Sequence, residues 1–349
     1  MRSVRVPRVR TLVVSDIHLC GVVGKTGPWM EYRQRAALPD RDLCALMRSV
    51  AGPSTEIVLN GDVFDFDAPD VSRPDYSTLP SRDRSEAASV ALILAILDDH
   101  PEFVATLNES IQRGTRVVFI PGNHDAQLGM RAVEYAMRSR IYGPWVLCPL
   151  YYTTASGFHI EHGHQYDPFC SLDAPPFDRA EDTIGTVVSF YMPLLLGCAN
   201  PYASDPLDTR LSELLGGIQA CSTGGPSQIQ WSAQTTMQAL RDLMLVRTDR
   251  RLGAAVRHEH LFAPKTLANE LIARKGWRGY GADAQRRLRA AAGQIAGIYG
   301  SRGVVMGHTH VPFGETVGGV FYGNSGSWAP GHQGSYVWID GGQAETRSF

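Results

Sequence analysis

The sequence predicts an α/β protein that carries a large, mainly helical insertion, and three observations lead to this expectation. Five short apolar runs, most of them rich in β-branched residues, have the length of buried strands: residues 11–14, 56–59, 116–120, 158–160 and 303–306. Helical patterns lie between some of these runs. From residue 168 to about residue 300 the alternation stops, and apolar residues recur only at helical spacing.

Two helices are predicted between the second and third apolar runs. Residues 85–99 begin with Ser85 and an early glutamate, as a capped helix does, and they are apolar on most sides. Residues 103–113 continue a helical pattern up to Gly114, a residue type favoured just after helix C-termini. The segment 67–84 contains three prolines and many charges, which predicts an exposed loop. Residues 319–322 and 336–339 predict two closing strands.

The composition indicates a globular protein in a reducing compartment. Of the 349 residues, 44% are hydrophobic and 19% are charged, as in ordinary folded domains. The net charge of −2 offers no overall attraction for a polyanion, so a nucleic-acid substrate would need a local basic patch. The six cysteines are scattered without a CxxC pair, and the N-terminal segment lacks the apolar core of a signal peptide. We therefore expect a cytoplasmic protein.

Each of the five apolar runs ends in a polar cluster. In chain order these clusters are SDIH, NGDVFD, PGNHD, EHGH and GHTH. Open α/β sheets place their ligand sites beyond the carboxyl ends of the strands. Buried carboxylate, amide and imidazole groups must be paired or bind a metal to offset the cost of desolvation. The conjunction of five clusters therefore predicts one shared metal site, although each cluster alone is typical of an ordinary polar strand end.

The patterns assign residues 1–167 and 301–349 to one domain and residues 168–300 to the helical insertion. Because His162 precedes the insertion and His308 follows it, we expect it to act as a lid or substrate cap beside the metal site. Its apolar stretch, residues 184–199, is broken by Pro193 and shorter than the roughly 20 residues that span a bilayer. Two interpretations stay open: a buried core helix, or the wall of an acyl-chain groove at the membrane surface.

The ordered series SDIH, GDVFD, GNHD, HGH and GHTH resembles the calcineurin-like metallophosphoesterase superfamily, and it frames the chain from Asp16 to His310. The resemblance implies a four-layer sandwich of two mixed β-sheets flanked by helices, with a two-metal centre at one end of the sheets. It also implies an enzyme in which a metal-activated hydroxide cleaves a phosphoester or pyrophosphate bond. Manganese is the expected metal from the oxygen and imidazole ligands, and iron or zinc fits them too.

The resemblance also implies individual roles. The first metal would be held by Asp16, His18, Asp62 and His310. The second metal would share Asp62 and add Asn123, His162 and His308. His124 resembles the family's general acid, and Asp65 resembles the carboxylate that orients it.

Some assignments stay open in the sequence. His164 is the alternative to His162 as a ligand, although the family's pattern favours His162. Asp65 could instead be a turn aspartate that bonds its own backbone, and Asp125 either caps the following helix or has a catalytic role.

The sequence motifs indicate the mechanism more specifically than they indicate the substrate. Phe66 stands where the family's protein Ser/Thr phosphatases have an arginine, which ranks a protein substrate low. SDIHL, GDVFDF and YGNSGSW resemble UDP-2,3-diacylglucosamine hydrolases, yet that group usually has arginine in place of His124. We therefore expect a phosphorylated small molecule, a nucleotide sugar or a lipid-linked substrate, with the protein then lying at the inner face of the membrane. No nucleic-acid partner is expected.

Two other functions would require features that can be checked in the sequence. A metal-dependent nuclease would need basic residues of the insertion, such as Arg247, Arg250 and Arg251, to line the cleft. A scaffold that binds metal without catalysis would be expected to have lost its general acid or bridging ligand, whereas His124 and Asp62 are both present.

Overall fold

The structure is a computed structural model that describes residues 9–21, 39–68, 83–167, 284–329 and 333–349, together with residues 170, 183, 185, 186, 190 and 238. The elements of its first half are β1 (Arg10–Val14), α1 (Pro39–Val50), β2 (Thr55–Asn60), α2 (Glu86–Asp99), α3 (Pro101–Gln112), β3 (Arg116–Ile120), α4 (Arg131–Arg138), β4 (Val146–Leu147), β5 (Tyr152–Thr153) and β6 (Phe158–Ile160). The second half contains α5 (residues 284–299), β7 (Gly303–Met306), β8 (Phe313–Val317), β9 (Val320–Asn324), β10 (Ser335–Asp340) and β11 (Gln343–Ser348).

The strands form two mixed sheets. The first has the order β11-β10-β1-β2-β3-β4, in which β1, β2, β3 and β4 are parallel and β10 and β11 are antiparallel to their neighbours. The second has the order β5-β6-β7-β9-β8, in which β6, β7 and β9 are parallel. Of the strands that precede the five polar clusters, β1, β2 and β3 are thus parallel to one another in the first sheet, and β6 and β7 are parallel in the second.

The sheets pack face to face because their central strands are apolar on both sides. Along β1, the side chains of Leu12 and Val14 pack towards helices α1 to α4, whereas Val13 packs between the two sheets. Side chains alternate between the faces of a strand, so a strand buried on both faces has a continuous apolar run. Helix α5 covers the outer face of the second sheet through Leu288 and Ile295. The result is the expected four-layer sandwich.

The two helices predicted between β2 and β3 are confirmed. The Ser85 hydroxyl caps α2 by accepting a hydrogen bond from the backbone N–H of Ala88 at 3.2 Å. Ile93 and Ile96 of this helix are fully buried against the first sheet and its helices. Helix α3 begins at Pro101, two residues before the predicted start, where a proline is compatible with the first helical turn.

All seven predicted strands are present, and the structure adds four that the apolar pattern missed. Strands β4 and β5 contain only two residues each, and β8 and β11 are largely exposed edge strands without a continuous apolar run. An edge strand is held by backbone hydrogen bonds to one neighbour and needs no apolar run, so its sequence carries a weak signal.

Several expectations from the sequence concern segments that lie outside the described residues. These include helices predicted around residues 207–218 and 237–244, most of the stretch 184–199, and the loop residues 69–82. The described helix α5, which lies within the predicted insertion, shares a core with Val304 and Met306 of β7. In the part of the chain that the structure describes, no helix is both long enough and apolar enough to cross a membrane.

Candidate metal centre

The residues predicted to form the site lie in loops directly after five strands. Asp16 and His18 follow β1, and Asp62 and Asp65 follow β2. Asn123 and His124 follow β3, His162 follows β6, and His308 and His310 follow β7. Taken as whole residues, all nine are buried except His308 and His310, which are partly exposed. Parallel pairing brings these strand ends to one edge of each sheet, where the two sets of loops meet.

The backbone is unusual at five of these positions. Asp16, His18, Asp62, His308 and His310 have φ angles between 50° and 71°, and they are the only non-glycine residues with positive φ in the described part of the chain. Non-glycine residues adopt this left-handed conformation at a free-energy cost, and such strain clusters at functional sites. Tertiary contacts therefore impose these loop conformations and aim the five side chains inward.

Two motif glycines allow the loops to approach one another. A Cβ atom at Gly122 would overlap the carboxylate of Asp62, and a Cβ atom at Gly307 would overlap Ser15 and Asp16. Both glycines have ordinary backbone angles, so their requirement comes from space and not from φ. The GN and GH dipeptides of the motifs thus permit close contact between strand ends.

The first ligand group contains Asp16, His18 and His310, whose potential ligand atoms all lie within 4.8 Å of one another. The Nε2 atom of His310 is 3.3 Å from Oδ1 of Asp16 and 3.2 Å from Nε2 of His18. A carboxylate and two imidazoles at these distances are a suitable donor set for a divalent transition metal.

The second ligand group contains Asp62, His162 and His308. The Nδ1 atom of His162 lies 2.8 Å from the backbone oxygen of Asn60. Since a carbonyl only accepts hydrogen bonds, Nδ1 carries the proton and Nε2 is left to face Oδ2 of Asp62 at 3.2 Å. Burial lowers the pKa of His162, but Asp62 and Asp16 outweigh this effect and raise the pKa to about 9. At neutral pH Nε2 therefore carries a second proton. A cation bound between Nε2 and the carboxylate would replace this proton on Nε2.

Asp62 lies between the two groups. Its Oδ2 atom is 4.0 Å from Nε2 of His18, in addition to the contact with His162. Burial alone would raise the pKa of Asp62, but the rings of His162 and His124 hold this pKa well below its usual value. The group is therefore a carboxylate at neutral pH, and both of its neighbouring ligand sets can share it.

One buried acceptor atom tests whether metal ions fit this donor set. Oδ1 of Asn123 has no hydrogen-bond partner within the described portion of the chain. Leaving a buried polar atom unsatisfied costs about 1–3 kcal/mol. A metal ion bound here would satisfy this atom, so the residues fit the expected metal centre.

The profile of the calcineurin-like phosphoesterase family matches residues 9–312, a range that contains all five motifs. The chain belongs to this family. It is therefore a metal-dependent phosphoester hydrolase, and members of the family use divalent metal ions. No curated protein sequence matches the chain significantly.

Solved structures to which this calcineurin-like phosphoesterase is similar include three bacterial proteins. The phosphopantetheinyl hydrolase of Mycobacterium tuberculosis is 15% identical, with 92% of this chain and 90% of that chain covered and a TM-score of 0.30. A predicted phosphoesterase of Streptococcus pneumoniae is 12% identical, with 99% of both chains covered and a TM-score of 0.29. A cold-active protein tyrosine phosphatase of a Shewanella species is 11% identical, with 97% and 80% covered and a TM-score of 0.32.

His124 of this phosphoesterase contacts two carboxylates. Its Nδ1 atom is 3.3 Å from Oδ1 of Asp65 and 3.4 Å from Oδ2 of Asp67, and Arg84 in turn binds Asp67. Burial lowers the pKa of His124, but Asp62, Asp65 and Asp67 outweigh it and raise the pKa to about 10. Asp65 thus contacts the ring that the sequence predicts it to orient, and Asp67 is a second partner that the sequence analysis missed. The potential ligand atoms of His124 also lie within 4.8 Å of those of His18 and Asp62.

Asp125 does not cap the following helix, so the interpretation as a helix cap is wrong. It precedes a short 3₁₀ helix (Ala126–Gly129) without a side-chain capping bond. Its carboxylate instead accepts backbone N–H bonds from Asp62, Val63 and Phe64 of one loop and from Gly122 of another. Asp125 therefore ties the loops after β2 and β3 together beneath Asp62.

His162, and not His164, is the histidine that lies against Asp62. The ring of His164 is 5.4 Å from the ring of His162 between centroids and 6.5 Å from that of His308, and His164 belongs to none of the ligand groups among the described residues. Gly163 between them has a φ of 100°, which turns the chain so that the two histidines point in different directions. The spacing of the motif alone does not reveal this turn.

Proposed function

We propose that this chain cleaves a pyrophosphate or phosphoester bond of a lipid-linked or nucleotide-sugar substrate with two divalent ions bound at the site described above. The observation that carries the proposal is the position of Asp62 between two ligand groups at the joined strand ends. When bound, a pair of ions supplies Lewis acidity and lowers the pKa of a bound water. The side chains around the two ions carry out the remaining chemistry.

The ligands divide as the family resemblance implies. One ion is held by Asp16, His18, Asp62 and His310, and the other by Asp62, Asn123, His162 and His308. Support comes from the two compact ligand groups, from the five left-handed ligand residues and from the unsatisfied Oδ1 atom of Asn123. Manganese suits this mixture of oxygen and imidazole donors, and iron and zinc are the alternatives.

His124 acts as the general acid in this proposal. Its Nδ1 atom faces Asp65 and Asp67, so its second ring nitrogen is left to give a proton to the leaving oxygen. Asp62, Asp65 and Asp67 together outweigh the effect of burial, hold the pKa of the imidazole above its usual value and keep it protonated near neutral pH. Bound cations would bring that pKa down towards the neutral range, where a general acid is most effective.

The substrate class rests on the sequence beyond the metal ligands. The segments GDVFDF and YGNSGSW resemble UDP-2,3-diacylglucosamine hydrolases, and the apolar stretch 184–199 suits contact with an acyl chain. Of that stretch the structure describes residues 185, 186 and 190, which are helical and buried. An amphiphilic substrate would place the protein at the inner face of the membrane.

A turnover screen of the manganese-loaded protein tests the function. Nucleotide sugars, lipid-linked pyrophosphates, phosphodiesters and small monoesters should be compared before and after removal of the metal with a chelator. We expect the highest kcat/KM with a pyrophosphate that carries an acyl chain or a sugar, and loss of all turnover after chelation. Preferred cleavage of a nucleic-acid phosphodiester, or turnover that survives chelation, would contradict the proposal.

Leu195→Asp tests whether residues 184–199 contact an acyl chain. Position 195 lies outside the described residues, so this prediction comes from the sequence. A carboxylate in an apolar groove should cost several kcal/mol of binding, roughly 2–7 kcal/mol for an uncompensated polar group. We expect a large fall in kcat/KM for lipid-linked pyrophosphates and normal hydrolysis of a small aryl phosphate. Loss of both activities would indicate a core helix, and retention of both would make the segment irrelevant to substrate choice.

A further inference from the structure

Asp167 contacts a predicted metal ligand from a part of the sequence that none of the motif assignments covers. Its Oδ2 atom lies 2.9 Å from Nε2 of His308, and both side chains are almost fully buried. The residue follows a short 3₁₀ helix (His164–Tyr166) and is the last described residue before the gap at 168–169. The contact joins the loop after β6 to the loop after β7.

The hydrogen bond determines which nitrogen of His308 is available to an ion. A carboxylate accepts hydrogen bonds, so Nε2 carries the proton and donates to Asp167. Nδ1 is then the nitrogen with a free lone pair, and His308 belongs to the group with Asp62 and His162. The backbone N–H of His308 donates a hydrogen bond to Oδ2 of Asp16 at 3.0 Å, so the backbone of this residue is anchored as well.

His162 shows the same arrangement with a different acceptor. Its Nδ1 atom is held by the backbone oxygen of Asn60, which leaves Nε2 for the ion. Each imidazole of the second ligand group is thus anchored through one nitrogen, which leaves the other nitrogen for an ion. The anchor of His308 is a carboxylate side chain, whereas that of His162 is a backbone carbonyl, and both kinds of partner fix the orientation of a ligating imidazole.

We propose that Asp167 is a positioning residue that fixes the ring and tautomer of His308 so that Nδ1 binds the second metal ion. The inference rests on the proposed two-metal function. Asp167 strengthens the weaker part of the donor set, since His308 is more exposed than His162 and has a strained backbone with a φ of 71°. Partners of this kind typically contribute 10–100-fold to metal affinity.

Cys170 offers a competing explanation that the test must separate. Asp167, Cys170 and His308 also form a group whose potential ligand atoms lie within 4.8 Å. In that arrangement Nε2 of His308 would bind an ion directly, and Asp167 and Cys170 would be its ligands. The two explanations assign different nitrogens of His308 to the metal and different roles to Cys170.

Zinc titrations of the full chain measure the effect on affinity. For Asp167→Ala we expect the first equivalent of zinc to bind as in the wild type and the second to bind about 10–100-fold more weakly. Asp167→Asn keeps an acceptor without the charge and should lose less. Excess metal should restore most of the turnover of Asp167→Ala, which a variant with a damaged fold would not show. If each equivalent of zinc bound to Asp167→Ala as tightly as it binds to the wild type, the inference would be overturned. The proposed function would still stand.

Cys170→Ser is the matched control, and the spectrum of His308 gives a readout independent of activity. Cys170→Ser should bind two equivalents of zinc as tightly as the wild type. In long-range ¹⁵N spectra of zinc-loaded, histidine-labelled protein, assigned with His308→Gln, we expect metal on Nδ1 and the proton on Nε2. Metal on Nε2, or loss of an equivalent in Cys170→Ser, would overturn the inference in favour of the Asp167–Cys170–His308 group. A wild type that binds no zinc would overturn both this inference and the proposed function.

Discussion

Asp62→Ala should leave less than one tightly bound divalent ion per chain and lower kcat/KM for an aryl phosphate by about 10³-fold or more. This loss corresponds to roughly 4 kcal/mol of transition-state stabilisation, a reasonable share of what a metal centre supplies. The reason is the position of Asp62, whose carboxylate contacts His162 at 3.2 Å and approaches His18 at 4.0 Å. Metal content measured by elemental analysis, together with steady-state turnover, checks both parts.

The control for Asp62→Ala is a carboxylate outside the site. Asp98 is largely exposed and pairs with Arg140, so Asp98→Ala should keep two ions and normal turnover. The change at Asp62 also removes the acceptor of the His124 backbone N–H, so thermal unfolding should be recorded for both variants. A folded Asp62→Ala variant with two ions and normal activity would show that Asp62 does not bridge the two metal ions.

His124→Ala should retain its metals and lose rate. General acids typically contribute about 10²–10⁴-fold, and the loss should reach that range for an alkyl phosphate ester, whose leaving oxygen needs a proton. A nitrophenyl ester should suffer less, because nitrophenolate leaves without protonation. The ratio of the two losses, measured as kcat/KM with saturating metal, is the decisive quantity.

Two outcomes would contradict the acid role of His124. Equal losses on the alkyl and nitrophenyl esters would show that the ring does not protonate the leaving group. Loss of a metal ion would make His124 a ligand, which its proximity to His18 and Asp62 makes a concrete alternative. Asp67→Asn is a useful second variant. Asp67 contacts Nδ1 of His124 at 3.4 Å and belongs to none of the ligand groups among the described residues.

Much of the fold could be predicted from the sequence because its central strands are buried on both faces. A strand in that position is mostly apolar along its length, and the runs before the five motifs are mostly apolar. The polar residues just beyond those runs could be assigned to one site for a similar reason, since parallel strands end at the same edge of a sheet. Edge strands such as β8 and β11 escaped prediction because one side of each faces solvent.

The sequence by itself determined the types of side chain available at the site and the order in which the loops supply them. It could not determine which partners those side chains find across the loops. Asp125 bonds a loop about sixty residues earlier in the chain, and Asp167 contacts His308 about 140 residues later. The choice of His162 over His164 depends on the backbone turn at Gly163. These contacts were decided by the tertiary structure, because hydrogen bonds between distant loops leave no periodic pattern in either segment.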